Sequence, residues 1–282
     1  MSIIFVSGVN SISHVIRIGG FVALGLWLAL SGTAMAQERA RGAPNKAGCA
    51  TSRRADVLAE VMLHGDLKLR SGLLVKLADI RLPDGPADRD RVLAHLRSFL
   101  GADVTVDLGG SQDRWGRHAG IVTVADRQTD MARELIRAGL ALVDAGERED
   151  LCRPDLLAAE AEARQEGLGL WAGDGYKPLT VGDLTRLKQR IGRFTLVEGR
   201  IRSVGERRQR IYLNFGRDWQ EDFTITIPQR TWLSMSERGM SAATLSGRQI
   251  RVRGILEEWQ GPVLNITAPT MIEVLDQERT RR

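Results

Sequence analysis

Apolar and polar positions along the chain switch between a period of two and a period near 3.6, and the order of the switches outlines the fold. From Val57 to Lys76 two short strands face each other across a turn at "RSG", Arg70 to Gly72. After a corner at Pro83, "PADRDRVLAHLRSFLGA" spaces Val92, Leu93, Leu96 and Leu100 as one face of a helix, which Gly101 stops. "VTVDLG" and "HAGIVTV" alternate as strands around the loop "GSQDRWGR". "TDMARELIRAGLALV" is a helix with Thr129 as its cap and Met131, Leu135, Ile136 and Leu140 as its apolar face. "RPDLLAAEAEARQEGLGLW" is another, with Pro154 near its first turn and Gly167 at its end. The Gly/Pro stretch "AGDGYKPLT", Ala172 to Thr180, is the best domain boundary.

Beyond it, "FTLVEGRIRSV", "IYLNF" and "DFTITIP" read as three strands. A helical connection follows in "QRTWLSMSERG" and "SAATL", with Trp232 as a core plug, and "QIRVRGILEEW" and "PVLNITAP…MIEVL" complete the sheet. Three strands, a helix and two strands is the order of the five-stranded OB barrel, and the first half follows it too, with extra helices at its end. The expected fold class is therefore mainly β with helices: two tandem OB-fold-like domains, the first a five-stranded barrel with about three helices. The expected limits are a signal peptide at 1–36, a flexible leader at 37–55, a first domain at 56–173, a linker at 174–180, a second domain at 181–276 and a tail at 277–282.

The N-terminal segment stands apart from this pattern. Arg17 precedes the apolar run "IGGFVALGLWLAL", which ends in "SGTAMA". That is a signal peptide with cleavage near Ala36, before Gln37, and the run is short for a membrane span, which wants about 20 apolar residues. The expected location is the periplasm or the medium, with no stable membrane span after cleavage. Cys49 and Cys152 are the two cysteines, both in the exported part, and an even count in an oxidising compartment points to one disulfide. Hydrophobic residues at 43% and charged residues at 27% are ordinary for a soluble globular protein, and aromatics are only 5%. The formal charge of +5 favours anionic partners such as nucleic acid or another polyanion. A protein partner cannot be named from the sequence.

The stretch "VKLADIRLPDG", Val75 to Gly85, runs as a strand into a corner with Lys76, Asp79, Arg81 and Asp84 along it. With "HGDLKLRSGLLVKLADIRLPD", "DRWGR", "ELIRAGLALV" and "LLAAEAEARQEGLGLW" in that order, residues from about Val57 to Trp171 resemble the staphylococcal nuclease-like (thermonuclease) family. The C-terminal unit resembles an accessory OB domain that follows such domains in some exported bacterial proteins. Active members of the family are calcium-dependent phosphodiesterases. The resemblance implies two metal-binding carboxylates, a glutamate as general base and two arginines that grip the phosphate.

Position by position, the resemblance places Asp66 at the first metal carboxylate, Lys76 at the first arginine and Arg117 at the second, with Trp115 in the aromatic slot before it. Asp84 replaces the base glutamate and is one methylene shorter. Arg81 stands where the second metal carboxylate belongs, and "DAGE" (Asp144 to Glu147) follows "GLALV" where family nucleases carry a tyrosine. A divalent cation about 4 Å from a guanidinium is repelled by roughly 8 kcal/mol at an effective dielectric near 20. Moving a base by a methylene costs about a hundredfold in rate. No cofactor is expected on this reading; Ca2+ enters only if Asp66, Asp79 and Asp84 reorganise around it in an active nuclease. Asp79, two residues before Arg81, is expected to pair with Arg81. His64 and His118 read as surface side chains. Lys76, Arg81 and Arg117 together would form an anion site without metal, and Arg81 satisfying Asp79 and Asp84 in a charge cluster is the plainer alternative.

In the second unit Arg207, Arg208 and Arg210 crowd the turn "GERRQR", near Arg200 and Arg202, and "QIRVR" adds Arg248, Arg251 and Arg253. Tyr212, Phe215, Trp219 and Trp259 are interleaved with them. OB barrels bind single strands by combining a basic groove with stacked aromatics, so Arg207, Arg208, Arg210, Tyr212, Trp219 and Trp259 are the candidate nucleic-acid contacts. Alternating arginines also suit any solvated antiparallel sheet. The expectation is an exported protein that binds anionic ligands, nucleic acid foremost, with hydrolysis lost or strongly weakened. An active nuclease and a structural envelope protein are the competing classes.

Overall fold

The computed structural model describes Cys49 and residues 52–146, 148–217 and 221–276. The expected signal peptide, the expected leader apart from Cys49 and residues 52–55, Glu147, Trp219 and the expected tail at 277–282 lie outside the described residues. Those described belong to one compact unit.

The first barrel is built from β1 (Ser52–Val61), β2 (Leu67–Leu69), β3 (Leu74–Leu77), β5 (Asp103–Gly109) and β6 (Arg117–Val124), with the short β4 (Ile80–Arg81) and helix α1 (Pro86–Arg97) between the third and fourth. β1 pairs antiparallel with β2 and β5, β2 with β3, and β5 with β6. The parallel pair β3–β6, with Val75 opposite His118, closes the ring. Inward positions are apolar on every strand: Leu58, Leu67, Leu69, Val75, Leu77, Val104, Val106 and Val122 are buried. Inside the barrel Gly120 leaves no room for a side chain, since a Cβ there would lie 2.8 Å from Val75 Cγ1. β1 starts inside the expected leader. Ser52–Ala55 are exposed and carry no hydrophobic pattern to announce a strand; the backbone ladder to β5 holds them.

After β7 (Thr129–Asp130) come α2 (Met131–Arg137), β8 (Leu142–Val143) and α3 (Leu156–Gln165), then a 3-10 turn at Gly169–Trp171. The cap of α2 is Asp130, not Thr129: its carboxylate accepts from the Arg133 N–H at 2.9 Å. Val92, Leu93 and Leu96 face inward as expected on α1, but the helix ends before Leu100, which is exposed while Phe99 is buried.

The second barrel contains β9 (Leu179–Thr180), α4 (Leu184–Gln189), β10 (Phe194–Arg200), β11 (Ser203–Glu206), β12 (Arg210–Asn214) and β13 (Thr224–Pro228). α5 (Gln229–Glu237), α6 (Ala242–Leu245), β14 (Gln249–Trp259), β15 (Gly261–Asn265) and β16 (Ile272–Val274) follow. Its sheet runs β11-β12-β13-β15-β14-β10-β9. β10 and β11 are the two halves of one broken strand, so both barrels follow one circuit: first, second, third, fifth, fourth, first. β13 and β15, third and fifth, are parallel as in the first barrel. Trp232 on α5 is buried, as the plug it was expected to be.

The joint between the barrels is charged and buried. Arg253 on β14 has a fully buried side chain; Nη1 donates to Glu160 Oε2 of α3 at 2.6 Å and to the Val143 carbonyl at 3.3 Å, and Nη2 donates to Glu273. Glu160 Oε1 also accepts from the Val143 N–H at 2.7 Å. Arg251, one pleat away, pairs with Glu198 at 2.7 Å and Glu273 at 3.1 Å. Arg251 and Arg253 were expected on a solvated basic face. Their alternation is right, because Ile250, Val252 and Leu256 point into the barrel, but the first barrel covers the face they point to.

Burial works to raise the Glu273 carboxyl, yet Arg253 and Arg251 outweigh it and hold it below its ordinary 4.5. A carboxyl lowered by folding contributes stability above pH 4.5 that is lost as pH falls through the lowered value. Asp79 carries the opposite sign: burial raises it and Arg148 only partly offsets this, so its ionised form costs stability at neutral pH and acid relieves that cost. Glu273→Gln is therefore expected to destabilise the chain at neutral pH, with the deficit closing in acid. Urea midpoints measured across about pH 3 to 7 check this; a deficit independent of pH would contradict it.

Candidate functional site

At the corner, β3 ends in a turn at Ala78–Asp79 that breaks the alternation, for Asp79 sits at φ 65°, in the left-handed region. Its carboxylate is therefore sent inward, not to the face of Arg81. It is fully buried, pairs with Arg148, and accepts from the Arg153 N–H at 2.6 Å. The expected Asp79–Arg81 pair does not form. Cys152, beside Arg153, is bonded to Cys49, with Cα atoms 5.2 Å apart, so the expected disulfide ties down the loop that covers Asp79.

Arg81 turns to the segment after β8. Its Nε donates to Asp144 Oδ2 at 2.8 Å, and its guanidinium lies 5.1 Å from the ring centroid of Phe194 on β10. Two departures from the nuclease pattern thus meet: the arginine in place of a metal carboxylate pairs with the aspartate of the segment that lacks the tyrosine. Asp84 is exposed at the start of α1. Beside it Tyr176 of the linker lies with its hydroxyl close to Gly85. Burial first, then the charges of Asp88 and Asp84, raise the phenol above its ordinary value.

Arg117 is held by two carboxylates. Nη1 donates to Asp66 Oδ2 at 3.0 Å and Nε to Asp113 Oδ2 at 2.9 Å. Trp115, exposed at the hairpin tip, has the Arg117 guanidinium 4.7 Å and the Arg114 guanidinium 4.0 Å from its ring centroid. Burial works to lower Arg117, but Asp113 and Asp66 outweigh it and raise it. Asp113, despite a desolvation cost, is held down to about 2 chiefly by its bond to Arg117. Lys76 projects outward from β3 with no carboxylate partner among the described residues. His64 is exposed, as expected; His118 is half-buried with Nδ1 unpartnered, which departs from a surface reading.

Calcium would need several oxygen donors on one point. Asp66 is taken by Arg117, Asp79 faces the Arg148–Arg153 loop and Asp84 stands exposed at the helix start. Among the described residues no three His, Cys, Asp or Glu side chains come together as a ligand set. The residues present do not fit the metal that the nuclease resemblance implies.

On the second barrel, Arg207, Arg208, Arg210, Tyr212 and Trp259 line an open groove of about 570 Å³ with Gln209. Five of the six candidate contacts meet there; Trp219 lies outside the described residues. The groove runs between the β11–β12 turn and the β14–β15 tip, the two loops that flank the ligand face of OB barrels. The three arginines have no carboxylate partner among the described residues, although Arg207 Nη1 donates to the Glu206 carbonyl at 3.1 Å; Arg200 lies 3.7 Å from Asp276, and Arg248 is bonded to the Thr244 carbonyl. Tyr212 is half-buried toward the groove, and Phe215 packs on the buried Phe223 with ring centroids 5.3 Å apart. A second depression, about 670 Å³, lies between β6 and α2 of the first barrel and went unread in the sequence. Its arginines Arg133 and Arg153 are paired with Asp155 and Asp130, and with Arg137 the lining arginines are matched in number by Asp107, Asp130 and Glu134, so it presents no net cationic face.

A closed five-stranded barrel with a helix after its third strand, an arginine-bearing "DRWGR" hairpin and two packed C-terminal helices defines a nuclease-type OB barrel. Residues 94–173 match the family model described as staphylococcal nuclease homologue. The match starts within α1, so it takes in Arg117 and Asp144 but not Asp66, Lys76, Arg81 or Asp84. No curated protein matches the chain. Among the described residues no helix is long and apolar enough to cross a membrane.

Proposed function

We propose that this is an exported polyanion-binding protein, with nucleic acid as its foremost ligand. The groove of the second barrel makes the contact, and the nuclease-like barrel serves as a scaffold whose phosphodiesterase activity is lost or strongly weakened. The observation that carries the reading is the groove, where three guanidiniums without a carboxylate partner among the described residues stand beside two aromatic rings on one open face. The corner supports the second half: each carboxylate that a metal would need is committed elsewhere or stands alone. The Cys49–Cys152 bond supports an oxidising compartment.

Titrating a labelled oligonucleotide at several salt concentrations tests this. Three arginines meeting phosphates of a single strand give a slope of log K against log[salt] of about −2, and each Arg→Gln replacement at 207, 208 or 210 should lower its magnitude by about 0.7. Binding that does not change with salt would contradict the reading and favour a structural envelope protein. A family nuclease is the competing class, since Asp66 and Arg117 stand in contact at 3.0 Å within a fold of that family.

A further inference from the structure

We infer that the groove takes unpaired bases, so that single-stranded nucleic acid is its ligand class, with a base laid on Trp259 and phosphates on Arg207, Arg208 and Arg210. The inference rests on the polyanion-binding reading and narrows it. Trp259 ends β14 and is 58% exposed, a large apolar face left in water by a fold that buries Trp171 and Trp232. A mobile loop does not carry it. Trp259 pairs with Gly261, so the tip between β14 and β15 is the single residue Gln260, held at φ 68°. Backbone strain in a non-glycine residue is kept where the surroundings over-determine it, and ligand clamps are such places. Gly261 supplies the support: a Cβ there would come within 2.8 Å of the Glu221 carbonyl oxygen, so the tip lies directly on the backbone that leads into β13.

The second ring is left open by a different device. Tyr212 on β12 stands opposite Gly205 on β11, and that glycine has no side chain to cover it. The groove thus holds one rigidly presented indole, one half-buried phenol ring and three guanidiniums. A plain anion site needs the cations and has no use for the rings. A duplex offers phosphates but keeps its bases stacked on one another, whereas an unpaired strand presents both phosphates and free base faces. The cavity volume, about 570 Å³, is in the range of small-ligand sites, roughly 300–1,000 Å³.

The test uses the full mature chain and three probes at one salt concentration: a labelled oligo-dT strand, a blunt hairpin duplex of equal phosphate count, and inorganic polyphosphate as competitor. The strand should bind about tenfold or more tighter than the duplex. Trp259→Ala should weaken the strand by roughly tenfold, while Trp259→Phe keeps most of the affinity. Gly261→Ala, which displaces the tip, should weaken the strand and leave polyphosphate competition unchanged. If polyphosphate competes as well per phosphate as the strand and Trp259→Ala changes nothing, or if duplex and strand bind alike, the inference falls and polyanion binding stands. If no probe binds, both fall together.

Discussion

Arg253→Ala is expected to destabilise the protein by about 3–5 kcal/mol, the usual cost of breaking a buried ion pair by removing one partner. The variant leaves Glu160 in a side-chain environment with no solvent exposure, with the Val143 N–H and, at 3.5 Å, Arg164 as its remaining contacts. It also removes the first of the two cations that hold Glu273 low, leaving that carboxylate with Arg251 at 3.1 Å. The loss falls on the surface where the barrels meet, and the urea midpoint is the readout. Replacing both partners by apolar residues, Glu160→Leu with Arg253→Met, should recover much of the deficit, because desolvated charge and not missing contact is the source. Arg230→Ala is the control: its pair with Glu149 is 3.9 Å long and its side chain 72% exposed, so a change within about 0.5 kcal/mol is expected. An Arg253→Ala midpoint like that of Arg230→Ala would refute the joint as drawn.

Cys152→Ser carries the other large effect. The bond closes a loop of 103 residues, for which chain-entropy bookkeeping gives about 4–5 kcal/mol. The cross-link does more than shorten the unfolded chain, since the next residue along, Arg153, gives its N–H to the buried Asp79, and Arg148 on the same loop pairs with that carboxylate. Freeing the loop exposes the costliest charge of the corner to rearrangement. A reducing agent should lower the denaturation midpoint of the wild type by the same amount and leave that of Cys49→Ser/Cys152→Ser unmoved. A midpoint in the wild type that ignores reductant would mean the bond carries no stability.

Much of this architecture was legible because each barrel announces itself through alternation interrupted by one helix. What stayed hidden was what lies beyond a face. The "QIRVR" alternation gave the outward direction of Arg251 and Arg253 but could not say that another barrel covers it, so buried arginines read as a basic surface. Asp79 misled for a local reason: alternation was carried across a turn in which that residue takes a left-handed conformation. Arg81 and Asp144 were each visible as a departure from the nuclease pattern, yet their pairing spans 63 residues. Opposite charge at the two departures is the signal the sequence carries for that pair. The groove was the easier part, because its cations and rings sit on one turn, one strand and one hairpin tip.

The sharpest measurement is cleavage of single-stranded DNA by the purified protein in calcium, with and without chelator. With Arg81 bound to Asp144 and Asp66 bound to Arg117, calcium should add no hydrolysis that the chelator removes. Chelator-sensitive cleavage that disappears in Asp66→Ala would show that a cation does assemble its ligands at this corner.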